Sequence, residues 1–294
     1  MQRDELDFNK AKVSTDFGQI AYVDEGEGPA ALFVHGVFLT SHLWRRVIAQ
    51  LRGERRCIAL DLPGHGETEV PPEHFSLTSQ ADVLEALCEA LELDSIDLVG
   101  NDSGGAISQI FAVRHTDRLR TLTLTNCDAH DNLPPPAFRQ VVELAAQGAL
   151  APAVVEFAGN VEAARTDAGL GSGYEHPEKL SPETIQAYLG RFASLDAARE
   201  VERWLTSATP DELLAVEPGL RELTVPTLVV WGTGDTFFDV SWAYWLRDTI
   251  PGAKEVVELE GAKLFFPDER ADELVVQLRR HWASARAEAE AATR

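Results

Sequence analysis

The stretch SIDLVGNDSGGAI, residues 95–107, decides the fold of this chain. Its apolar run ends at Gly100, and a helical pattern begins directly after Gly104 and Gly105. The stretch therefore predicts a strand, one abrupt turn and a helix. A turn this tight forces its central residue into a strained backbone conformation, so the residues that flank it must be small.

Asp102 lies at the centre of that turn. The spacing from Gly100 to Gly104 is that of a nucleophile elbow, a turn that presents one side chain above the end of a sheet. Centring the turn on Ser103 would place Asn101 where a small residue is needed, so Asp102 is the favoured centre. A second role stays open from the residues alone, because aspartate is also a good N-cap for a helix.

Composition indicates a large folded core with an acidic surface. The chain has 294 residues, 45% of them apolar, which is enough to bury a substantial core. It carries 26 basic and 48 acidic residues, a formal net charge of −22. A surface this acidic repels phosphate backbones, so we expect no nucleic-acid partner and a substrate that is neutral or cationic.

Cysteine usage and the two ends of the chain add further expectations. The three cysteines are too few and too scattered for a disulfide framework or a zinc site, so we expect no metal. The amino terminus lacks an apolar signal core, and no apolar run approaches membrane-spanning length. We therefore expect a cytoplasmic protein with no membrane partner, and a homodimer is one option for its assembly. The tail from Ser284 is expected to be frayed.

Strand and helix patterns alternate along most of the chain. Apolar runs typical of strands buried on both faces occupy residues 30–34, 57–60, 96–99, 121–125 and 226–231. The alternation predicts an α/β fold with a mostly parallel sheet, whose ligands bind beyond the carboxyl ends of the strands. Polar side chains that fall at such ends are His35, Asp61, Asp102 and Asn126.

The alternation breaks after Asn126. No strand pattern occurs up to Leu223, and a cap residue, a proline and an acid mark helix starts at residues 181–183 and 209–211. This segment predicts a helical insertion, after which the sheet resumes at Pro226.

Five features in this order resemble those of a known family. They are His35-Gly36, the turn DLPGHG at 61–66, the turn centred on Asp102, the helical insertion and WGTGD at 231–235. The chain resembles the α/β-hydrolase fold family, and its elbow aspartate resembles the branch of haloalkane dehalogenases and epoxide hydrolases. The resemblance implies a mostly parallel central sheet with helices on both faces. It also implies a core of residues 1–126 and 226–294 and a helical cap of residues 127–225.

Individual residues acquire roles from the same resemblance. Asp102 would be the nucleophile that attacks carbon, and a histidine-activated water would cleave the resulting ester. The backbone N–H groups of Val37 and Ser103 would bind the anion, in the manner of an oxyanion hole. Asp235 would be the acid that orients the histidine. The implied function is a small-molecule hydrolase without a cofactor.

The loop that carries the histidine in the family departs from the pattern. Here residues 260–267 read EGAKLFFP, which puts Leu264 at the histidine position, or Lys263 with a shift of one residue. Leucine cannot accept a proton, and a charged ammonium group is not a base. Without a base, an alkyl ester of Asp102 should accumulate instead of hydrolysing.

Three explanations for this departure remain open. In the first, His130 replaces the missing histidine, although a solvent-facing structural role is the favoured interpretation of this residue. In the second, the enzyme is an isomerase, lyase or cyclase in which Asp102 acts as a general acid or base. In the third, the protein is catalytically inactive and binds a ligand or partner.

The expected substrate is neutral and largely apolar. Dehalogenases hold the halide with a tryptophan and an asparagine, and those positions are Ser103 and Val37 here, so halide binding is not indicated. Candidate substrate-binding residues are Phe38, Tyr174, Tyr188, Leu264 and Phe265. For the two tyrosines, packing is at least an equal interpretation.

Further polar residues follow the apolar run at 121–125. Asp128, Asp131 and Asn132 crowd this strand end, and some members of the branch place their acid there. For most of them, solvation of a loop by Asx turns is the favoured interpretation.

Overall fold

The fold is built on one twisted sheet that crosses the whole molecule, in a computed structural model that describes residues 8–292. The strands are β1 (Ala11–Thr15), β2 (Gly18–Glu25), β3 (Ala30–Val34), β4 (Arg56–Leu60), β5 (Ile96–Asp102), β6 (Leu119–Cys127), β7 (Thr227–Gly232) and β8 (Ala253–Leu259). They are arranged in the order β1-β2-β4-β3-β5-β6-β7-β8. Among the described strands, β2 pairs antiparallel with β1 and with β4, and the other five pairings are parallel, so the predicted mostly parallel α/β sheet is confirmed.

Helices cover the sheet, since every residue of β3, β5 and β7 is buried although successive side chains point to opposite faces. The α-helices are α1 (Arg45–Leu51), α2 (Leu77–Ala90), α3 (Ser103–Arg114), α4 (Arg139–Ala146), α5 (Ala151–Gly159), α6 (Val161–Ala164), α7 (Pro182–Leu189), α8 (Leu195–Ser207), α9 (Pro210–Leu220), α10 (Ser241–Thr249), α11 (Phe266–Glu269) and α12 (Ala271–Ala292). Short 3₁₀ helices occupy Ser41–Trp44, Pro72–His74, Thr116–Arg118, Pro136–Phe138, Gly171–Gly173, Pro177–Lys179 and Gly190–Phe192.

The carboxyl-terminal tail corrects one expectation. Instead of fraying from Ser284, α12 continues to Ala292. Alanine, glutamate and arginine all have high helix propensity, and they extend a helix whose first turns are already anchored by buried apolar residues.

A strand-free segment separates β6 from β7. Residues 128–226 form α4 to α9 and contain no strand, so we name them the helical segment. No single helix among residues 8–292 has the length and apolar composition of a membrane span. The stretches Pro136–Ala146 and Ala151–Gly159 reach that criterion only as a pair, which is bent by 109°.

The turn between β5 and α3 depends on close backbone approaches. A Cβ atom at Gly100 would lie 2.7 Å from the carbonyl oxygen of Gly104. A Cβ atom at Gly104 would overlap the carbonyl oxygens of Val34 and His35 at the end of β3. These glycines therefore let α3 start directly against the neighbouring strand.

Replacing Gly104 by alanine tests that contact. We expect Gly104→Ala to lower the free energy of unfolding by about 1–3 kcal/mol, because backbone atoms cannot move aside as a flexible side chain can. Urea unfolding followed by circular dichroism measures the change. The matched control is Gly53→Ala, where a Cβ atom would meet nothing within 4 Å. The control changes the unfolded chain in the same way, so equal stability of the two variants would contradict the steric account.

Candidate active site

Asp102 lies at the end of β5, and its backbone adopts the strained conformation that the sequence predicts. Its φ is 57° and its ψ is −135°, and only 6% of the residue is exposed. A Cβ atom at Gly36 would overlap the Asp102 carboxyl group, so the glycine after β3 leaves room for this side chain. Asp102 immediately precedes α3, but its side chain makes no cap bond to the N–H groups of the second and third helical residues. The structure therefore does not support the alternative role as an N-cap.

A cavity begins at Asp102 and extends under the helical segment. Its wall consists of Val37, Phe38, Asp102, Ser103, Asp128, Leu133, Pro134, Pro135, Phe138, Val141, Val142, Leu150, Val154, Phe157, Ala168, Gly169, Leu170, Ser172, Leu189, Trp204, Leu205, Ala208, Phe237, Phe238, Leu264 and Phe265. Asp102 and Asp128 are the two members of this wall that can carry a charge, and the wall contains no histidine, lysine or arginine. The cavity is thus an apolar space with two carboxyl groups in its wall.

Backbone donors surround the Asp102 carboxyl group. The N–H groups of Ser103 and Val37 both hydrogen-bond toward it, the contact with Ser103 having the larger effect on its pKa. The Val37 N–H also donates to Ser103 Oγ at 3.0 Å. The two groups that the resemblance assigns to anion binding therefore lie together beside the carboxyl group.

Burial governs the protonation of Asp102. Removal from water raises the pKa of this carboxyl group to about 8, and the negative charge of Asp235 acts in the same direction. The N–H groups of Ser103 and Val37 oppose the rise without cancelling it. A buried carboxylate normally needs a cation or several hydrogen bonds, and no cationic side chain lines this cavity.

Asp235 follows β7 and is held by neutral donors. Its Oδ2 accepts from Asn126 Nδ2 at 2.7 Å, and its Oδ1 accepts from the Phe237 N–H at 2.8 Å. Asn126 also exchanges hydrogen bonds with the backbone of Gly232, which ties the end of β6 to the end of β7. Burial raises the pKa of Asp235 to about 6. Both of its carboxyl oxygens thus have hydrogen-bond partners, and neither of these partners is a histidine.

The loop after β8 brings Leu264 into the cavity wall. Leu264 is 4% exposed, and its backbone carbonyl accepts from Asn101 Nδ2 at 3.1 Å. Lys263 is half-buried and is absent from the wall, so its charge acts on Asp235 from outside the cavity. Of the two candidates for the histidine position, Leu264 is the one that lies at the cavity with Asp102.

His130 lies outside the cavity wall. Its Nδ1 is 2.8 Å from Glu217 Oε2 on α9, and its ring stacks at 5.0 Å on Trp245 of α10. It is absent from the cavity wall, and 31% of its side chain is exposed. His130 therefore joins the start of the helical segment to α9, and the structure does not support its assignment as the replacement base.

Tyr174 and Tyr188 belong to a buried polar network instead of the cavity wall. Their hydroxyl groups contact each other at 3.3 Å, and both donate to Asp268 Oδ2, at 3.2 and 3.3 Å. The other oxygen of Asp268 lies 2.9 Å from Arg45 Nη1. Substrate binding by these tyrosines is therefore corrected to a structural role, because their hydroxyl groups already have partners.

The remaining predicted substrate-binding residues, Phe38 and Phe265, lie in the cavity wall. Asp128 also lies in the wall and is 2% exposed, so the loop solvation favoured for most of the acids after β6 does not hold for it. Trp204 on α8, which no sequence pattern singles out, adds a buried indole N–H without a hydrogen-bond partner among the described residues. The available signal for Asp128 was its place directly after β6, beside the strand that ends in Asp102.

Comparison with known proteins agrees with this architecture. The model of the alpha/beta hydrolase fold family matches residues 29–269. Haloalkane dehalogenase 2 of Mycobacterium tuberculosis is 30% identical over 274 residues, which cover 89% of this chain and 90% of that protein.

Solved structures share the same fold. The structure of a haloalkane dehalogenase from Bradyrhizobium elkani has a TM-score of 0.81 at 21% identity, covering 96% of this chain and 100% of that one. An epoxide hydrolase structure has a TM-score of 0.77 at 21% identity, covering 95% and 99%. The predicted fold is therefore confirmed over nearly the whole chain.

The raised pKa of Asp102 predicts how stability depends on pH. The folded protein keeps a proton that the unfolded chain, with an ordinary carboxyl pKa of 3.8, releases. The stability that this retained proton contributes is fully present below pH 3.8, the pKa of the carboxyl group in the unfolded chain. It is lost as the pH rises through the pKa of about 8 in the folded protein. Asp102→Asn should therefore gain stability over the wild type with rising pH, by up to about 1.4 kcal/mol per pH unit.

Urea unfolding of both proteins across this pH range measures the difference. Asp131→Asn is the control, since it removes an exposed carboxyl group from the loop after β6. A stability difference between wild type and Asp102→Asn that stays constant with pH would contradict the assignment of a shifted pKa to Asp102.

Proposed function

The chain belongs to the alpha/beta hydrolase fold family, and from this premise we propose that it acts on a neutral, largely apolar small molecule through Asp102. Asp102 is the nucleophile in this proposal, as in an epoxide hydrolase or a haloalkane dehalogenase. The observation that carries it is the position of Asp102: a carboxyl group on a strained turn, at the end of an apolar cavity.

The proposed first step is a displacement at a saturated carbon. One carboxylate oxygen of Asp102 forms a bond to the carbon, and the bond from that carbon to its leaving group breaks with its electron pair. The product is an alkyl ester of Asp102. The backbone N–H groups of Val37 and Ser103 hold the carboxylate in place and stabilise the oxyanion that forms when the ester is later attacked.

The cavity supports the proposed class of substrate. Its wall is almost entirely apolar, so a substrate enters by releasing water from apolar surface. The two carboxyl groups and the formal charge of −22 disfavour an anionic substrate. Trp204 belongs to the wall, and its indole N–H, which has no hydrogen-bond partner among residues 8–292, is a candidate donor to one neutral acceptor on the substrate.

Relatives support the same reaction class. The dehalogenase from Mycobacterium tuberculosis is named for carbon–halogen substrates, and the epoxide hydrolase is named for cyclic ethers. In this chain Leu264 supplies no base for cleavage of the ester. The lifetime of the alkyl ester of Asp102 therefore depends on whether another group in the cavity activates water.

A second candidate function follows from the pKa of Asp102. With a pKa of about 8, this carboxyl group holds a proton at neutral pH and can act as a general acid. The alternative is a non-hydrolytic reaction, such as isomerisation or elimination, in which Asp102 transfers a proton and forms no bond to carbon.

Covalent labelling separates the two candidates. We expect a panel of alkyl epoxides and bromides to add their mass to the peptide that contains Asp102, when samples are quenched in acid within the first turnover. The labelling rate should rise with pH and level off above about 8, because the ionised form attacks. Peptide mapping by mass spectrometry locates the adduct.

Asp102→Asn is the first control and should show no adduct, since an amide is a poor nucleophile. Asp131→Asn should label as the wild type does, because this side chain is exposed. A turnover rate that decreases above about pH 8, with no adduct at any time, would support proton transfer by Asp102. It would contradict the proposal that Asp102 is the nucleophile.

A further inference from the structure

Asp128 lies directly beside the proposed nucleophile. In the pairing of β5 with β6, Asp102 stands opposite Cys127, so Asp128 follows the partner of Asp102 on a strand about 4.8 Å away. A Cβ atom at Gly105 would overlap Cys127, which shows that the Cys127 side chain faces α3. Asp128 follows in the chain and contributes to the cavity wall instead.

The Asp128 carboxyl group is buried without a full set of partners. The residue is 2% exposed, and its Oδ1 has no hydrogen-bond partner among the described residues. Its backbone carbonyl accepts from Gln109 Nε2 at 2.8 Å, which fixes the position of the residue against α3. Burying an unpaired polar atom costs free energy, so this carboxyl group is poised for a partner that enters the cavity.

Electrostatics favour a proton on Asp128. Burial raises the pKa of this group well above its usual range, and the negative charge of Asp102 raises it further. Asp235 acts in the same direction. Ionisation of both Asp102 and Asp128 would place two negative charges side by side. When Asp102 is ionised, Asp128 therefore keeps its proton.

We propose that Asp128 is the proton carrier of the reaction that begins at Asp102, a role that rests on the proposed function of Asp102 as nucleophile. Asp128 protonates the oxygen that leaves carbon and afterwards takes a proton from the water that cleaves the ester. Asp128 thereby supplies the base for ester cleavage, which Leu264 at the histidine position cannot supply.

The proton balance closes over one cycle with an epoxide. Ionised Asp102 attacks a ring carbon, the carbon–oxygen bond breaks, and the proton of Asp128 moves to the freed oxygen. Water then adds to the carbonyl carbon of the ester while its proton passes to Asp128. The tetrahedral intermediate releases the second alcohol, which takes the remaining proton from the Asp102 carboxyl group. The product is a diol, and both carboxyl groups return to their initial states.

This role predicts the class of leaving group. A halide leaves as a stable anion and needs no proton, whereas an alkoxide is a poor leaving group unless it is protonated as it departs. A proton donor beside the nucleophile therefore indicates strained cyclic ethers, with the leaving group on oxygen, as the preferred substrates. The absence of tryptophan at Ser103 and of asparagine at Val37 agrees with this preference.

Asp128→Asn tests the role with two electrophiles of the same carbon chain, a terminal epoxide and a primary bromide. We expect formation of the Asp102 ester from the epoxide to slow by about 100-fold or more, as is typical for loss of a general acid. Ester formation from the bromide should not slow, because no proton is required and one neighbouring carboxyl group is gone. The ester from the epoxide should also decay more slowly in the variant than in the wild type, because Asp128 has given up its proton to the leaving oxygen and can then accept one from water. Quenched-flow mass spectrometry of the Asp102 peptide measures all three rates.

Asp131→Asn is the matched control, with the same substitution three residues along the same loop at an exposed side chain. Thermal unfolding confirms that both variants are folded. Equal slowing with both electrophiles, or wild-type rates in Asp128→Asn while Asp102 is still labelled, would overturn the role of Asp128 and leave Asp102 as the nucleophile. Absence of label and turnover in the wild type would overturn the proposed function of Asp102, and the role of Asp128 with it.

Discussion

The site depends on one constraint, a carboxyl group held out of water with no positive charge beside it. The strained backbone of Asp102 and the glycines around it bring this group to the end of the sheet, and the apolar wall removes its solvent. Two backbone N–H groups compensate only part of the lost hydration. The raised pKa of Asp102, the effect of its charge on Asp128 and the proposed preference for a neutral substrate all follow from this imbalance.

Two parts of the chain cooperate in the cavity. The sheet contributes the carboxyl groups, because the ends of β5, β6 and β7 bring Asp102, Asp128 and Asp235 to one edge. The helical segment contributes most of the apolar wall. A buried network fastens the two parts together: Tyr174 and Tyr188 reach across to Asp268, which also pairs with Arg45. The tyrosines thus position the cavity wall without lining it.

Local patterns in the sequence were sufficient to predict the fold and the place of Asp102 at the centre of the turn. Apolar runs predicted the buried strands, and the steric need for glycine singled out Asp102. The position of Leu264 in the wall follows from its place after the last strand. Tyr174 and Tyr188 could not be interpreted from the sequence, because their partner Asp268 lies 94 and 80 residues away. For the polar residues after β6, loop solvation is the favoured interpretation of the sequence, because an aspartate in a polar stretch usually has that role. Only the packed structure shows that Asp128 is removed from water.

Single turnover in water labelled with heavy oxygen tests the central claim most directly, that Asp102 bonds to the substrate. If water attacks the ester carbonyl, one heavy oxygen enters the Asp102 carboxyl group and the first product carries the ordinary oxygen that Asp102 gave up. We expect this added mass on the peptide that contains Asp102 and on no other. Heavy oxygen found only in the product, with an unlabelled Asp102 peptide, would contradict it.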